Sequence, residues 1–145
     1  MNKRRKIAIG NDHAGTWLKT ALMNHFGEDV EFVNFGTNDD ESVDYPDHVH
    51  PVANAVESGE CTLGILICGS GNGVCMSANK HSGIRAALCW NNEISALSRQ
   101  HNDANVCCIP ARFLDQETAT RITTTFLNTE FEGGRHQLRV DKIPC

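Results

Sequence analysis

The residues best placed to do chemistry lie where a short apolar run ends on Cys68 and three glycines follow, in Gly69-Ser70-Gly71-Asn72-Gly73. This pattern predicts a strand, a tight turn and the start of a helix. The glycines allow positive φ and close approach of the backbone to a bound group, so successive N–H groups form an anion-binding concavity. The positive electrostatic field of these N–H groups would also favour thiolate over thiol at Cys68. We therefore expect a nucleophile or base beside an oxyanion pocket.

Three other polar groups could complete such a site, and each also has a purely structural explanation. Asp12-His13 follows the first apolar run, where an aspartate often caps the next helix. His101-Asn102 closes a predicted helix, where histidine can bond the last carbonyls and asparagine can take a left-handed cap. Arg135 and Arg139 are four residues apart and suit phosphate, although an exposed pair is commonly a solvated face. Together these groups supply the base, oxyanion pocket, acid–base pair and phosphate clamp that isomerisation of a phosphosugar requires.

Short apolar strands alternate with amphipathic helical patterns along the chain. This alternation predicts a single α/β domain over 1–145: a doubly wound (Rossmann-like) five-stranded parallel sheet with helices on both faces and a C-terminal helical segment. Ligands in such folds bind beyond the carboxyl ends of the strands, so Asp12, His13 and Cys68 should share one edge. We expect the strands at 6–10, 30–35, 64–68, 84–89 and 105–109.

The helical patterns carry further local expectations. Asp47 and Asp115 each precede an apolar stripe and are predicted to cap helices. Ile94 and Leu97 are predicted to face inward from a helix over 93–100. The other helices are expected at 14–26, around 49–56, and from 74 onward.

Bulk composition excludes several classes of function. A formal charge of −5 without a basic stripe argues against nucleic-acid binding. No apolar run approaches the roughly 20 residues of a membrane span. Residues 1–6 are basic like the start of a signal peptide, but the apolar run 7–9 is too short to continue one, so we expect a solvated lead-in. The seven cysteines include no Cys-x-x-Cys pair, so the six besides Cys68 are interpreted as packing residues in a reducing cytoplasm.

At this point the chain resembles the ribose-5-phosphate isomerase B family, which also contains galactose-6-phosphate and allose-6-phosphate isomerases. The resemblance extends nearly end to end and rests on six blocks in register. They are the sequences GNDHAG at 10–15, DYPD at 44–47, ICGSGNG at 67–73, NKHSGIRA at 79–86, SRQHNDAN at 98–105 and EGGRH at 132–136.

The resemblance implies an aldose–ketose isomerase of the pentose phosphate pathway that uses no cofactor and no metal. Cys68 matches the base that moves a proton between C2 and C1 through an enediolate, and Ser70 matches a hydroxyl beside it. His101, helped by Asp12, matches the group that opens the sugar ring. The positions that match stabilisation of the enediolate oxygens are the backbone around Gly69, Gly71, Asn72 and Gly73, together with Asn102.

The resemblance also implies how the phosphosugar is held. His13, Arg135 and Arg139 match the phosphate site, Arg112 and His136 fall near it, and Tyr45 lines the sugar pocket. The family pattern implies a homodimer or a tetramer whose sites lie between chains, with His101, Asn102 and the C-terminal arginines supplied by the neighbour. It implies a small-molecule phosphosugar as the only other partner.

Three alternatives remain open from the sequence. A nucleotide- or flavin-binding module could use a glycine-rich turn, but the turn matches neither Gly-x-Gly-x-x-Gly nor a P-loop. A cysteine phosphatase would need Cys-x₅-Arg, and residue 74 is valine. A non-catalytic subunit of a two-chain isomerase would lack the base, whereas Cys68, His101 and both arginines are present here. The resemblance implies interconversion of ribose 5-phosphate and ribulose 5-phosphate, with allose 6-phosphate and galactose 6-phosphate as the alternative substrates.

Overall fold

The computed structural model describes residues 3–145, so Met1 and Asn2 of the basic lead-in lie outside it. Five parallel strands form one sheet in the order β2-β1-β3-β5-β4. The strands are β1 (Arg5–Asn11), β2 (Val30–Asn34), β3 (Leu63–Cys68), β4 (Ala86–Leu88) and β5 (Val106–Pro110). The helices are α1 (Thr16–Phe26), α2 (Tyr45–Glu57), α3 (Asn72–Ala78), α4 (Asn92–Asn102), α5 (Gln116–Asn128) and α6 (Arg135–Val140), with a 3-10 turn at His13–Gly15.

Helices cover both faces of the sheet, because the strands are apolar on both sides. On one face, Leu22 of α1 and Phe126 of α5 pack with alternate strand residues such as Ile65. On the other face, Val52 of α2 and Val74 of α3 join one cluster with the intervening strand residues. Strands buried on both faces are typical of parallel α/β sheets. The predicted fold class, with its five parallel strands and C-terminal helix, is confirmed.

Several local predictions need correction. α2 begins at Tyr45, so Asp44 holds the N-cap position and Asp47 lies in the first turn instead of capping the helix. The cause is Pro46, whose fixed φ suits the first helical turn and lets the helix start earlier than the apolar stripe. β4 covers only Ala86–Leu88 of the predicted 84–89. The predicted cap at Asp115 is confirmed, because its Oδ1 accepts a hydrogen bond from Thr118 N at 2.8 Å.

The inward face of α4 also differs from the prediction. Ile94 is 43% exposed, whereas Ser95 and Ser98 are buried. Ser95 Oγ donates to the Ile122 carbonyl at 2.8 Å, because α4 packs directly against α5 and a small hydroxyl fits that close contact. At the end of α4 the left-handed residue is Asp103, with φ 48°, and not Asn102. Within residues 3–145, no helix has the length and apolar character needed to cross a bilayer.

Candidate active site

The ends of three adjacent strands are joined by backbone hydrogen bonds at the carboxyl edge of the sheet. Asp12 N, just after β1, donates to Ile67 O at 3.2 Å. On the other side of β3, Ala111 N donates to Cys68 O at 2.9 Å, and Arg112 N donates to Gly69 O at 3.0 Å. These bonds bring the predicted residues Asp12, Cys68 and Arg112 to one edge of the molecule.

Cys68 ends β3 with its side chain under the glycine turn. The residue is 5% exposed, and its Sγ accepts a hydrogen bond from Gly71 N at 3.2 Å. Gly71 has φ 76°, and a Cβ there would approach Leu88 Cδ1 to 2.4 Å, so only glycine fits this turn without strain. Beside it, Asn72 N donates to Ser70 Oγ at 3.2 Å. The turn therefore directs a backbone N–H to the sulfur, where negative charge would be stabilised.

Side chains from three other segments surround this turn. Tyr45, at the start of α2, packs on Gly73, where a Cβ would lie 2.5 Å from the ring. Arg112 crosses Gly69, where a Cβ would lie 3.1 Å from its Cδ. The glycines at both positions thus let a ring and a guanidinium approach the turn closely.

Asp12 and His13 are fixed by local hydrogen bonds. Asp12 Oδ1 accepts a hydrogen bond from Ala14 N at 2.9 Å, so the capping role considered for Asp12 is present. His13 Nδ1 accepts from Val43 N at 3.2 Å, which places the ring proton of neutral His13 on Nε2. The loop that contains Val43 is held in turn by the buried Lys19 ammonium, which donates to Asn38 Oδ1 at 2.7 Å. Burial lowers the pKa of Lys19.

The remaining predicted residues form a second group on α4 and α6. His101 and Asn102 end α4, while Arg135, His136 and Arg139 lie on α6. The His101 and His136 rings stack with centroids 4.2 Å apart and an interplanar angle of 11°. Both arginines are exposed.

The two groups lie at opposite edges of the sheet. In the β3–β5 pairing, Gly64 is opposite Val106 and Cys68 is opposite Pro110. His101 precedes β5, so it lies at the amino edge, whereas Cys68 lies at the carboxyl edge. Four residues of strand separate these levels by about 13 Å. One chain therefore brings together Asp12, His13, Tyr45, Cys68, residues 69–73 and Arg112, but does not bring them to His101, Asn102, Arg135, His136 and Arg139.

The second group contains one residue to which the sequence analysis gave no role. Glu132 Oε1 lies 3.7 Å from His101 Nε2 and 3.7 Å from His136 Nε2. The sequence does contain a signal for this contact, because Glu132 and His136 are four residues apart. These three side chains place their donor atoms within 4.8 Å of one another. The two rings are stacked and nearly parallel, at 11°, so a single metal ion could not lie in the plane of both imidazoles in this arrangement.

The other cysteines differ in their surroundings. Cys61, Cys89, Cys107 and Cys108 are buried among apolar residues, as predicted for packing positions. Burial raises the pKa of the Cys108 thiol well above its usual value. The prediction is wrong for Cys145, which is exposed.

Comparisons with known proteins agree with the fold and the motifs. The profile of the family described as Ribose/Galactose Isomerase matches residues 7–143. Ribose-5-phosphate isomerase B of Escherichia coli K12 is 46% identical over 140 residues, covering 96% of this chain and 94% of the relative. The solved structure of Clostridium thermocellum ribose-5-phosphate isomerase B is similar with a TM-score of 0.94 and 48% identity, covering 95% of this chain and 94% of that one.

A further solved structure contains a sugar phosphate. It is ribose-5-phosphate isomerase B of Mycoplasma genitalium with bound ribulose-5-phosphate, which has a TM-score of 0.92 and 43% identity. The similarity covers 98% of this chain and 95% of that one. With a profile match over most of its length and relatives this similar, the chain belongs to the ribose/galactose isomerase family.

Proposed function

We propose that this protein interconverts ribose 5-phosphate and ribulose 5-phosphate. The observation that carries the proposal is the Cys68 thiol at the end of β3, which receives the Gly71 N–H at 3.2 Å inside a glycine turn. A sulfur held this way combines a proton acceptor with adjacent backbone donors, which is what moving a proton between two sugar carbons requires. Relatives that carry the name ribose-5-phosphate isomerase B support this choice of substrate.

In this mechanism Cys68 takes the proton from C2 of the open-chain aldose. The C2 electron pair then forms the C1–C2 double bond of an enediolate, and the carbonyl oxygen O1 becomes the oxyanion. The proton of the C2 hydroxyl passes to O1, and the Cys68 thiol returns its proton to C1, which completes the ketose. In this proposal, N–H groups of the turn at 69–73 and the Ser70 hydroxyl stabilise the charge on these oxygens.

A second copy of the chain is needed to complete the site, because Cys68 and His101 occupy opposite edges of one sheet. We infer a two-fold dimer, in which the same pair of surfaces generates two equal sites. In each site, His101 of the partner subunit protonates the ring oxygen while Asp12 accepts the proton of the anomeric hydroxyl. These two transfers balance and open the furanose ring.

Phosphate binding would also draw on both chains. His13 and Arg112 approach from the carboxyl edge, and Arg135 and Arg139 come from α6 of the other copy, with His136 beside them. Guanidinium groups bind phosphate through paired N–H donors. Because the phosphate is remote from C1 and C2, this binding energy positions the reacting carbons against Cys68. Tyr45 and Asn102 would contact the sugar between them.

Two further parts of the proposal follow from the chain itself. The proton transfers need only side chains and backbone groups, so we propose that the reaction uses no cofactor. All seven cysteines are free thiols, which fits a reducing compartment such as the cytoplasm.

The test is complementation between two inactive variants, Cys68→Ala and His101→Ala. Each variant alone should fail to convert ribose 5-phosphate. Mixed dimers have one site with both residues intact, so random reassociation should recover about a quarter of the wild-type activity. Verified mixed dimers without activity would show that Cys68 of one chain and His101 of the other do not act in the same site. A wild-type protein that does not convert ribose 5-phosphate would refute the proposed reaction, and allose 6-phosphate and galactose 6-phosphate would be assayed next.

A further inference from the structure

The Glu132 carboxylate lies beside the Nε2 edges of two stacked imidazole rings. Its Oε1 is 3.7 Å from Nε2 of His101 and 3.7 Å from Nε2 of His136. The His136 side chain is 12% exposed, whereas those of His101 and Glu132 are 40% and 50% exposed. The carboxylate and the His101 ring are therefore accessible, and His136 forms the inner wall behind them.

The backbone fixes the carboxylate in this position. Glu132 N donates to Gln100 O at 3.1 Å, which ties this segment to the last turn of α4 beside His101. Gly133 and Gly134 follow with φ 68° and 55°, so the chain reverses at once into α6. His136 N then donates to Gly133 O at 3.1 Å. This tight turn returns His136 to the same side as Glu132 and places both against His101.

The charges around this cluster are unequal. Burial has the largest effect in lowering the pKa of His136, followed by the neighbouring His101 and by Arg135 and Arg139 of α6, while Glu132 opposes these effects. On α4, Arg99 lies 3.3 Å from Asp103, and this carboxylate also lies 3.3 Å from Arg85, so Asp103 is shared between two guanidinium groups. The net effect favours the neutral form of the His136 ring in the stack. The Glu132 carboxylate is the negative group next to His101, and it offsets the positive charge that α6 brings to this surface.

We propose that Glu132 is a positioning residue for His101: with the stacked His136 ring, it fixes the orientation of the His101 imidazole for opening the sugar ring. The proposal rests on the function proposed above. A carboxylate next to an imidazole N–H restricts rotation of the ring and stabilises the charge that passes through it during proton transfer. Because Glu132 acts on His101, its effect should be confined to ring opening, and the transfer at C1 and C2 by Cys68 should not depend on it.

The substrates themselves separate these two steps. Ribose 5-phosphate is a furanose and must be opened before its C2 proton can be removed. Ribulose 5-phosphate carries its phosphate on the C5 oxygen and has no ring to open. When ribulose 5-phosphate is incubated with the enzyme in D₂O, NMR measures the loss of its C1 hydrogen. This loss includes both exchange of the hydrogen with solvent and conversion of the ketose to the aldose. It therefore reports the proton transfer by Cys68 alone.

The experiment compares Glu132→Gln with the wild type and with Glu130→Gln. Glu130 is an exposed residue of the same segment and loses the same charge. For Glu132→Gln we expect kcat on ribose 5-phosphate to fall at least about tenfold, since a misoriented acid loses much of its contribution. KM should not rise, because removing a negative charge beside Arg135 does not weaken phosphate binding. Loss of the C1 hydrogen from ribulose 5-phosphate should continue at the wild-type rate, which also shows that the variant is folded.

Two results would overturn this role for Glu132. In one, both rates fall together, as expected if the residue only maintains the structure. In the other, neither rate differs from that of Glu130→Gln. A wild-type protein inactive on both sugars would instead refute the proposed function, and this inference with it.

Discussion

The glycine turn beside Cys68 gives the most quantitative prediction, which is the effect of Gly71→Ala. Gly71 has φ 76°, a backbone conformation that costs an alanine about 1–2 kcal/mol. The new Cβ would also lie 2.4 Å from Leu88 Cδ1, 3.3 Å from Pro110 N and 3.4 Å from Ile109 C. The leucine can move, but the backbone of β5 cannot easily do so. Overpacking of this kind adds about 1–3 kcal/mol, so the two effects together should lower the unfolding free energy by about 2–5 kcal/mol.

The matched control is Gly59→Ala. Gly59 has φ 81°, and a Cβ there would meet nothing within 4 Å. This variant therefore carries the backbone strain without the collision and should lose only about 1–2 kcal/mol. Urea denaturation of both variants measures the difference, provided that the slope with denaturant is unchanged.

The same substitution should affect catalysis. Relief of the collision moves the turn, and with it the Gly71 N–H that lies 3.2 Å from Cys68 Sγ. Loss of one oxyanion-hole donor typically lowers kcat about 10²–10³-fold, and we expect a fall of this order on ribose 5-phosphate because the same turn carries the N–H groups proposed to stabilise the enediolate. Gly59→Ala should keep the wild-type kcat. If Gly71→Ala matched Gly59→Ala in both stability and kcat, our account of the turn would be wrong.

Two further predictions concern charged residues. Arg135→Ala should raise KM for ribose 5-phosphate more than it lowers kcat, since it removes a phosphate contact. The control is Arg121→Ala, because Arg121 is an exposed arginine on α5. An unchanged KM in Arg135→Ala would show that Arg135 is not part of the phosphate site. The Glu57 carboxylate accepts a hydrogen bond from Gly83 N at 2.8 Å and lies 3.0 Å from His81 Nδ1. The hydrogen bond from Gly83 has the largest effect, and together with His81 it lowers the pKa of Glu57 below 4.5. The ionised Glu57 carboxylate therefore stabilises the fold above pH 4.5, and this stabilisation is lost as the pH falls through the lowered pKa. Glu57→Gln should be less stable than the wild type at pH 7, and the two stabilities should converge in acid. Stability curves that run parallel from pH 7 to pH 3 would contradict this assignment.

The site illustrates which inferences local sequence can support. The strand, turn and helix around Cys68 follow from a short apolar run and closely spaced glycines, and the cap at Asp115 follows from one side chain and the backbone three residues on. Both depend on contacts within a few residues, so the pattern in the sequence contains their cause. The observed start of α2 differs from the predicted one because Pro46 acts through its fixed φ and not through apolar spacing.

Contacts between distant segments decided the rest. Local patterns were enough to predict the α/β class, the parallel strands and the polar residues at the end of each strand. The folded structure was needed to show that Ser95 faces α5 while Ile94 faces out, that β5 lies between β3 and β4, and that His101 is at the edge opposite Cys68. Strand order and helix facing depend on which surfaces pack together after the chain has folded. That information is spread over residues far apart in the sequence, and no local pattern contains it.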